Sequence, residues 1–165
     1  MKFGEHYFAE SNGTPELILP IGIPGSGKST WIEKFKKSGD YIVVSPDEIR
    51  RELTGDISDQ SMNKEVFQMA DETVRRALEG GQSVIYDATN VDTKYRREFL
   101  KDLPPCKLKA KIFDVSPEEV KRRIKADLEG GKDRAAVPDK VVDDMYVKFK
   151  ETLGKLEEEG FEIME

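Results

Sequence analysis

The stretch "GIPGSGKST", from Gly22 to Thr30, decides the fold of this chain. It matches the pattern G-x-x-x-x-G-K-[ST], in which two glycines precede a lysine and a hydroxyl residue. A phosphate group needs several backbone N–H groups that point inward at once, and glycine-rich turns supply them because glycine tolerates conformations that other residues avoid. The motif therefore predicts a phosphate-binding loop (P-loop) between a strand and a helix.

The residues on either side of the loop have the pattern that the motif requires. "ELILPIG" before it is an apolar run typical of a buried strand, and "KSTWIEKFKK" after it is typical of a helix, whose positive dipole end favours phosphate. We expect Lys28 to reach the β and γ phosphates of a nucleoside triphosphate and the Ser29 hydroxyl to ligate Mg²⁺. The predicted nucleotide-binding residues of the loop are Gly22, Pro24, Gly25, Ser26, Gly27, Lys28, Ser29 and Thr30.

Short apolar runs alternate with helical patterns along the rest of the chain, which is the order of a βαβ protein. Further strands are predicted in "YIVV", "SVIYD" and "KLKAKIFDV", and a fifth, edge strand in "FEIM". A long amphipathic helix is predicted over residues 61 to 79, with Val66, Met69, Ala70, Ala77 and Leu78 near one face. The fold class is three-layer α/β, a P-loop NTPase or kinase fold with a central parallel sheet of four to five strands.

Composition limits the function classes that need consideration. With 165 residues, 37% hydrophobic and 36% charged, and no low-complexity linker, residues 1–165 are expected to form a single globular domain. No apolar run is long enough to span a membrane and the first ten residues lack the order of a signal peptide, so we expect a cytoplasmic protein. The lone Cys106 and the lone His6 exclude an intramolecular disulfide, a Cys/His zinc cluster and a Ser-His-Asp triad.

"SPDEIR", Ser45 to Arg50, allows two interpretations. Ser followed three residues later by Glu, with Pro between, starts a helix, and "SPEE" (Ser116 to Glu119) repeats this signal after another predicted strand. Capping leaves Arg50 unexplained, and Asp47 lies three residues before it, on the same helix face. A catalytic carboxylate beside a cation and a surface salt bridge both remain open.

Two further segments are candidates for contacts with the phosphate acceptor and the transferred group. "YDATN" places Asp87, Thr89 and Asn90 at the carboxyl end of a predicted strand, where open α/β sheets bind ligands, although a structural carboxylate or an Asx-turn is the alternative. "KRRIKADLEGGKDR", Lys121 to Arg134, gathers cations in a helical lid region at about 117–137, with a solvated helix face as the alternative.

Together these stretches resemble the 5′-kinase domain of phage-type polynucleotide kinase, a P-loop phosphotransferase. The resemblance runs from "IGIPGSGKSTW" through "SPDEIR" and "DATN" to "FDVSPEEVKRR" and "AAVPDKVVDDMY". It implies ATP and Mg²⁺ as cofactors, the 5′-hydroxyl end of DNA or RNA as acceptor, and a separate ligase as a partner in repair. The phosphatase motif D-x-D-x-T of the bifunctional members is absent from this sequence, so the resemblance implies no 3′-phosphatase activity.

The resemblance also implies roles for individual residues. Asp47 is expected to be the general base that activates the 5′-hydroxyl, and Arg50 the cation that grips the acceptor-side phosphate. Asp87, Thr89 and Asn90 are expected to order the acceptor site. The lid arginines of the family fall on or near Arg122 and Arg123, with Arg123 on the donor nucleotide. Lys132 and Arg134 both stay open for the second catalytic contact, and the bidentate geometry of a guanidinium favours Arg134.

Three other functions remain open, one of which is a toxin-like kinase that phosphorylates a nucleotide sugar and normally comes with a neutralising partner. A P-loop kinase that acts on a sugar, a nucleotide sugar or another metabolite would share the donor residues, and the net charge of −6 favours such an acceptor over a polyanion. A nucleotide-dependent binding module with slow hydrolysis would need no acceptor.

Overall fold

The computed structural model describes residues 13–165, and its core is a five-stranded, entirely parallel sheet. The strands are β1 (Glu16–Ile21), β2 (Tyr41–Val44), β3 (Ser83–Tyr86), β4 (Lys107–Ile112) and β5 (Glu162–Ile163). Their order across the sheet is β2-β3-β1-β4-β5, so the predicted fifth strand lies at an edge, as expected. His6 and the N-terminal stretch "MKFGEHYFAE" lie outside these residues.

Within residues 13–165, six α-helices connect and cover the strands. They are α1 (Lys28–Phe35), α2 (Pro46–Thr54), α3 (Asn63–Glu79), α4 (Thr93–Lys101), α5 (Pro117–Glu129) and α6 (Asp139–Leu153), and a short 3₁₀ turn (Lys36–Ser38) follows α1. None of the helices in the described part of the chain is both long and apolar enough to cross a membrane.

The alternation of side chains along β1 explains the three layers. Ile18 packs on one face of the sheet with Ile32 of α1. Leu17 and Leu19 point to the opposite face, where they join a larger core with residues from α3, α4, α5 and α6. Both faces of the sheet are therefore covered by helices, as the α/β class predicts.

The serine of each predicted capping box caps its helix. The Ser45 hydroxyl accepts a hydrogen bond from the backbone N–H of Glu48 at 3.3 Å, and Ser116 accepts from Glu119 at the same distance. Each serine therefore sets the first residue of its helix, with proline in the first turn.

Three expectations from sequence were wrong in detail. Asp87 lies just beyond the end of β3, and β4 ends at Ile112 before the residues "FDV". Met69 is 44% exposed, whereas Val66 and Ala70 are fully buried, so the apolar face of α3 excludes it. The buried face continues instead through Val74, which restores the helical spacing of four.

A buried ion pair ties the C-terminal segment to the sheet. The Arg96 guanidinium donates from Nε and Nη2 to the two carboxylate oxygens of Glu159 at 2.6 and 2.9 Å, and their side chains are only 2% and 4% exposed. Its Nη1 donates to the backbone carbonyl of Asn90 at 2.8 Å. The pair therefore holds the loop after β3 against the chain beyond α6.

Replacing Arg96 with methionine should destabilise the fold strongly. The substitution removes both short hydrogen bonds to the buried Glu159 carboxylate and leaves it only the Arg97 Nε at 3.5 Å, and breaking such a buried pair costs about 3–5 kcal/mol. Urea unfolding followed by circular dichroism measures the free energy of unfolding. Arg76→Met is the matched control because Arg76 pairs with Glu72 on an exposed surface, and it should cost less than about 1 kcal/mol. Equal costs for the two variants would contradict the structural role of Arg96.

Candidate active site

The P-loop has a backbone that glycine alone can supply at three positions. Gly25 and Gly27 have φ of +80° and +101°, in the left-handed region that other residues avoid. A Cβ on Gly22 would lie 2.5 Å from Ser26 Oγ and 3.0 Å from the backbone oxygen of Phe113. The loop is therefore compact as well as permissive.

Lys28 lies across this loop from the first turn of α1. Its Nζ donates to the backbone carbonyls of Gly22 at 2.8 Å and Ile23 at 2.9 Å, and the residue is only 8% exposed. The ammonium group is therefore held over the loop by carbonyl oxygens.

Burial and neighbouring charges set the pKa of Lys28. Burial lowers this pKa to about 8, and the Arg134 guanidinium acts in the same direction. The negative charges of the Asp87 and Asp47 carboxylates oppose this lowering of the Lys28 pKa. Burial raises the pKa of Asp87, and the charge of Lys28 opposes that rise.

Two buried polar atoms beside the loop fit a bound phosphate. Among residues 13–165, Ser26 Oγ and Arg134 Nε are the buried side-chain atoms without a hydrogen-bond partner. Arg134 is near the loop, since its Nη2 lies 3.6 Å from the position that a Cβ on Gly25 would take. An anion at this loop would satisfy such donors, so the residues present fit the polyphosphate that the motif predicts.

The lid cations differ in what they contact. Arg123 donates from Nη1 to the carbonyl of Gly25 at 3.2 Å, whereas Arg122 donates to Glu119 and has a 68% exposed side chain. Arg134 and Lys132 both pair with Asp127, but their side chains are 24% and 72% exposed. Arg123 and Arg134 therefore lie at the P-loop, while Arg122 and Lys132 face solvent.

Asp47 and Arg50 form an ion pair on the first turns of α2. Arg50 Nη1 donates to Asp47 Oδ1 at 2.7 Å, and the side chains are 6% and 64% exposed, respectively. Arg50 also donates from Nε and Nη2 to Asn63 Oδ1 at 3.2 and 2.9 Å. The sequence analysis missed Asn63, which lies at the start of α3, because no local pattern links it to "SPDEIR". Asn63 therefore anchors the Arg50 guanidinium, and the Asp47 carboxylate faces solvent.

A cleft of about 590 Å³ opens beside the P-loop. Its lining includes the hydroxyl residues Ser29 and Ser45, the carboxylates of Glu33, Glu48, Glu52 and Asp87, and apolar side chains such as Ile32 and Ile49. Ser29 and Asp87 offer oxygen atoms of the kind that Mg²⁺ prefers, so they are the residues that would hold the ion.

Asn90 and Thr89 tie the P-loop to the neighbouring strand. The Asn90 amide donates to the carbonyls of Pro20, Tyr86 and Ala88 at 2.8 to 3.1 Å, and its φ of +57° lets the loop turn back. The Thr89 carbonyl accepts from the N–H of Gly22 at 3.1 Å. In this structure both residues hold the loop through these bonds, and the Asn90 amide is occupied by backbone.

Residues 17–152 match the family model described as "AAA domain". This chain is similar to a chain of the solved structure "Structure of the Pnkp1/Rnl/Hen1 RNA repair complex", with a TM-score of 0.74 and 22% sequence identity. The match covers 88% of this chain and 47% of the other. A second structure of the Pnkp1/Rnl/Hen1 complex matches with a TM-score of 0.61 at 27% identity, over 69% and 40%. This chain thus spans about half the length of these relatives. A gluconokinase from Sinorhizobium meliloti 1021 matches with a TM-score of 0.57 at 16% identity, over 91% and 82%.

The lowered pKa of Lys28 predicts that nucleotide binding takes up a proton. At about pH 9 the free lysine, with its pKa of about 8, is mostly neutral, and a bound polyphosphate raises that pKa and restores the charge. Affinity for a non-hydrolysable ATP analogue should therefore fall as pH rises through 8.

Calorimetry in two buffers of different protonation enthalpy measures this uptake directly. We expect close to one proton at about pH 9 and almost none at about pH 6.5, where the lysine is already charged. Lys28→Met should bind more weakly and take up no proton at either pH. Equal uptake by the native protein and the variant would contradict the assignment to Lys28.

Proposed function

We propose, from the premise that this chain belongs to the AAA domain family, that it transfers the γ-phosphate of ATP to the 5′-hydroxyl end of DNA or RNA. The kinase-type P-loop fold supports a phosphotransferase of some kind. The observation that carries the acceptor assignment is the Asp47–Arg50 pair, because its exposed carboxylate lies within electrostatic reach of Lys28. A capping acid needs no buried guanidinium beside it.

The charges of the site suit a loose, in-line transfer of the phosphoryl group. In such a transfer the protein acts mainly by positioning and by stabilising charge. Lys28 and Arg134 face the region where the γ-phosphate would lie, and Arg123 borders the loop from the lid. When bound at Ser29 and Asp87, Mg²⁺ would supply further positive charge to the phosphates.

Asp47 and Arg50 have different roles toward the acceptor. Asp47 orients the attacking hydroxyl and finally accepts its proton, as a general base. Arg50 keeps that carboxylate in place through Nη1. Its bonds to Asp47 and Asn63 use three of the five guanidinium N–H groups, so two are left for a phosphate that follows the terminal nucleoside.

The reaction product would be a 5′-phosphate end, which is a substrate for ligases. One of the matched structures is that of an RNA repair complex, and this supports a separate ligase as the partner that consumes the product.

A small-molecule acceptor is the second candidate. Glu33, Glu48, Glu52 and Asp87 all line the cleft beside Ser29, and this negative charge opposes a polyanion while it suits a hydroxyl-rich neutral molecule. The fold likeness to a gluconokinase agrees with such an acceptor.

Replacing Asp47 with asparagine should lower kcat by roughly 10²- to 10⁴-fold, because the amide cannot accept the hydroxyl proton. Steady-state kinetics with a 5′-hydroxyl oligonucleotide measures the change, and affinity for the ATP analogue should stay within about twofold, since Asp47 contacts no nucleotide phosphate in this mechanism.

Glu118→Gln is the matched control for this substitution. Glu118 occupies the same place in the second capping box, after Ser116 and Pro117, and it feels a similar helix dipole. Its loss should leave kcat unchanged. If Asp47→Asn behaves like this control, Asp47 is a capping acid and the proposed mechanism is wrong.

An acceptor panel separates the two candidate functions. The protein is incubated with Mg²⁺ and labelled ATP against 5′-hydroxyl DNA, 5′-hydroxyl RNA, nucleosides, and sugars including gluconate. We expect label on the polynucleotides. Label on a sugar alone would favour the small-molecule kinase, and label in inorganic phosphate alone would contradict both.

A further inference from the structure

A second concave surface lies beside the Asp47–Arg50 pair and has no role in the chemistry above. It is a groove of about 400 Å³ between the start of α3 and the start of α4. Its lining residues are Asn63, Lys64, Phe67, Gln68, Asp71 and Tyr95. We propose that this surface, the Tyr95 groove, binds the base of the second nucleotide of a single-stranded 5′-hydroxyl acceptor. This inference rests on the proposed function.

Two aromatic rings give the groove a surface on which a base can stack. Phe67 and Tyr95 meet edge to face with their ring centroids 5.5 Å apart, and Tyr95 is 37% exposed. The Tyr95 hydroxyl donates to Asp71 Oδ1 at 2.7 Å, and its ring stacks over Phe99 at 6.5 Å. The ring is thus held in place before any ligand arrives. Successive bases of single strands bind such held aromatic faces with little sequence preference.

The polar groups of the groove suit a nucleotide. Lys64 and Gln68 are exposed, and neither makes a side-chain hydrogen bond or ion pair with another residue of the range 13–165. An ammonium can meet a phosphate, and an amide can pair with the edge of a base. Asp71 Oδ1 already accepts hydrogen bonds from the hydroxyls of Tyr86 and Tyr95, so this oxygen is engaged within the protein.

Asn63 joins the groove to the acceptor site. It lines the groove, and it also accepts from Nε and Nη2 of Arg50, whose Nη1 donates to Asp47. Asp47, Arg50 and Asn63 are therefore linked by successive hydrogen bonds, and Asn63 belongs to the groove. If the 5′-hydroxyl is at Asp47 and the next phosphate is at Arg50, the following base falls in the groove. A single sugar at Asp47 would not extend that far.

Removing the Tyr95 ring tests the groove. Tyr95→Ala should raise the KM for a 5′-hydroxyl oligonucleotide about tenfold, because the base loses its stacking surface, while kcat and the KM for ATP stay unchanged. Tyr95→Phe keeps the ring but loses the bond to Asp71, so it should raise the same KM less than Tyr95→Ala does. Phe67→Leu removes the adjacent ring without emptying the space, and it should raise the same KM. An unchanged KM in both Tyr95→Ala and Phe67→Leu overturns the proposal.

Oligonucleotides with one abasic position identify the base that is bound. An abasic second nucleotide should raise the KM of the native protein about tenfold and that of Tyr95→Ala no further. The same rise in both proteins, or a rise only with an abasic third or later nucleotide, contradicts the assignment.

A binding measurement separates failure of the groove from failure of the proposed kinase activity. An oligonucleotide with 2-aminopurine at the second position should lose fluorescence on binding to the native protein, and Tyr95→Ala should abolish that quenching. Quenching without phosphoryl transfer would support base binding in the Tyr95 groove and overturn the kinase proposal. Equal quenching by Tyr95→Ala overturns the groove whether or not transfer occurs.

Discussion

The three hydrogen bonds from the Asn90 amide set the geometry on which the rest of the site depends. They join the carbonyl of Pro20 at the end of β1 to the carbonyls of Tyr86 and Ala88 at the end of β3. The P-loop follows β1 and Asp87 follows β3, so this side chain, together with the pairing of β1 and β3, helps to fix Asp87 relative to Lys28. The buried Arg96–Glu159 pair also holds Asn90 in place, because Arg96 donates to the Asn90 backbone carbonyl. The paired strands β1 and β3 therefore carry both the P-loop and the Asp87 carboxylate.

A bound nucleotide would change the electrostatic environment of two cationic side chains beside the P-loop, Lys28 and Arg134. Lys28 donates to two carbonyls of its own loop, and burial lowers its pKa. Arg134 keeps a buried, unpartnered Nε next to the same loop. Both groups are costly to bury as cations, and a polyanion would offset that cost. The positions of these two groups therefore favour phosphate binding at the loop.

Features that depend on local patterns could be predicted from the sequence. The P-loop, the strand runs and the two serine caps each lie within a few residues, and all of them form. The contact between Asp47 and Arg50 also followed from their spacing. Contacts between distant segments could not be predicted, because nothing local marks them. Arg96 and Glu159 are 63 residues apart, and the stretch "VDTKYRREFLK" has the pattern of an exposed helix although the fold buries Arg96, one of its four cations. Asn63 and the Tyr95 groove are of the same kind.

The site of phosphorylation on the acceptor tests the central claim most directly. The protein, Mg²⁺ and ATP are incubated with an oligonucleotide and, separately, with its 5′-deoxy analogue, and the products are fragmented in a mass spectrometer. The account predicts one added phosphate, located on the 5′-terminal nucleoside, and no product from the analogue. A phosphate located elsewhere on the strand, or an equal yield from the 5′-deoxy analogue, would contradict it.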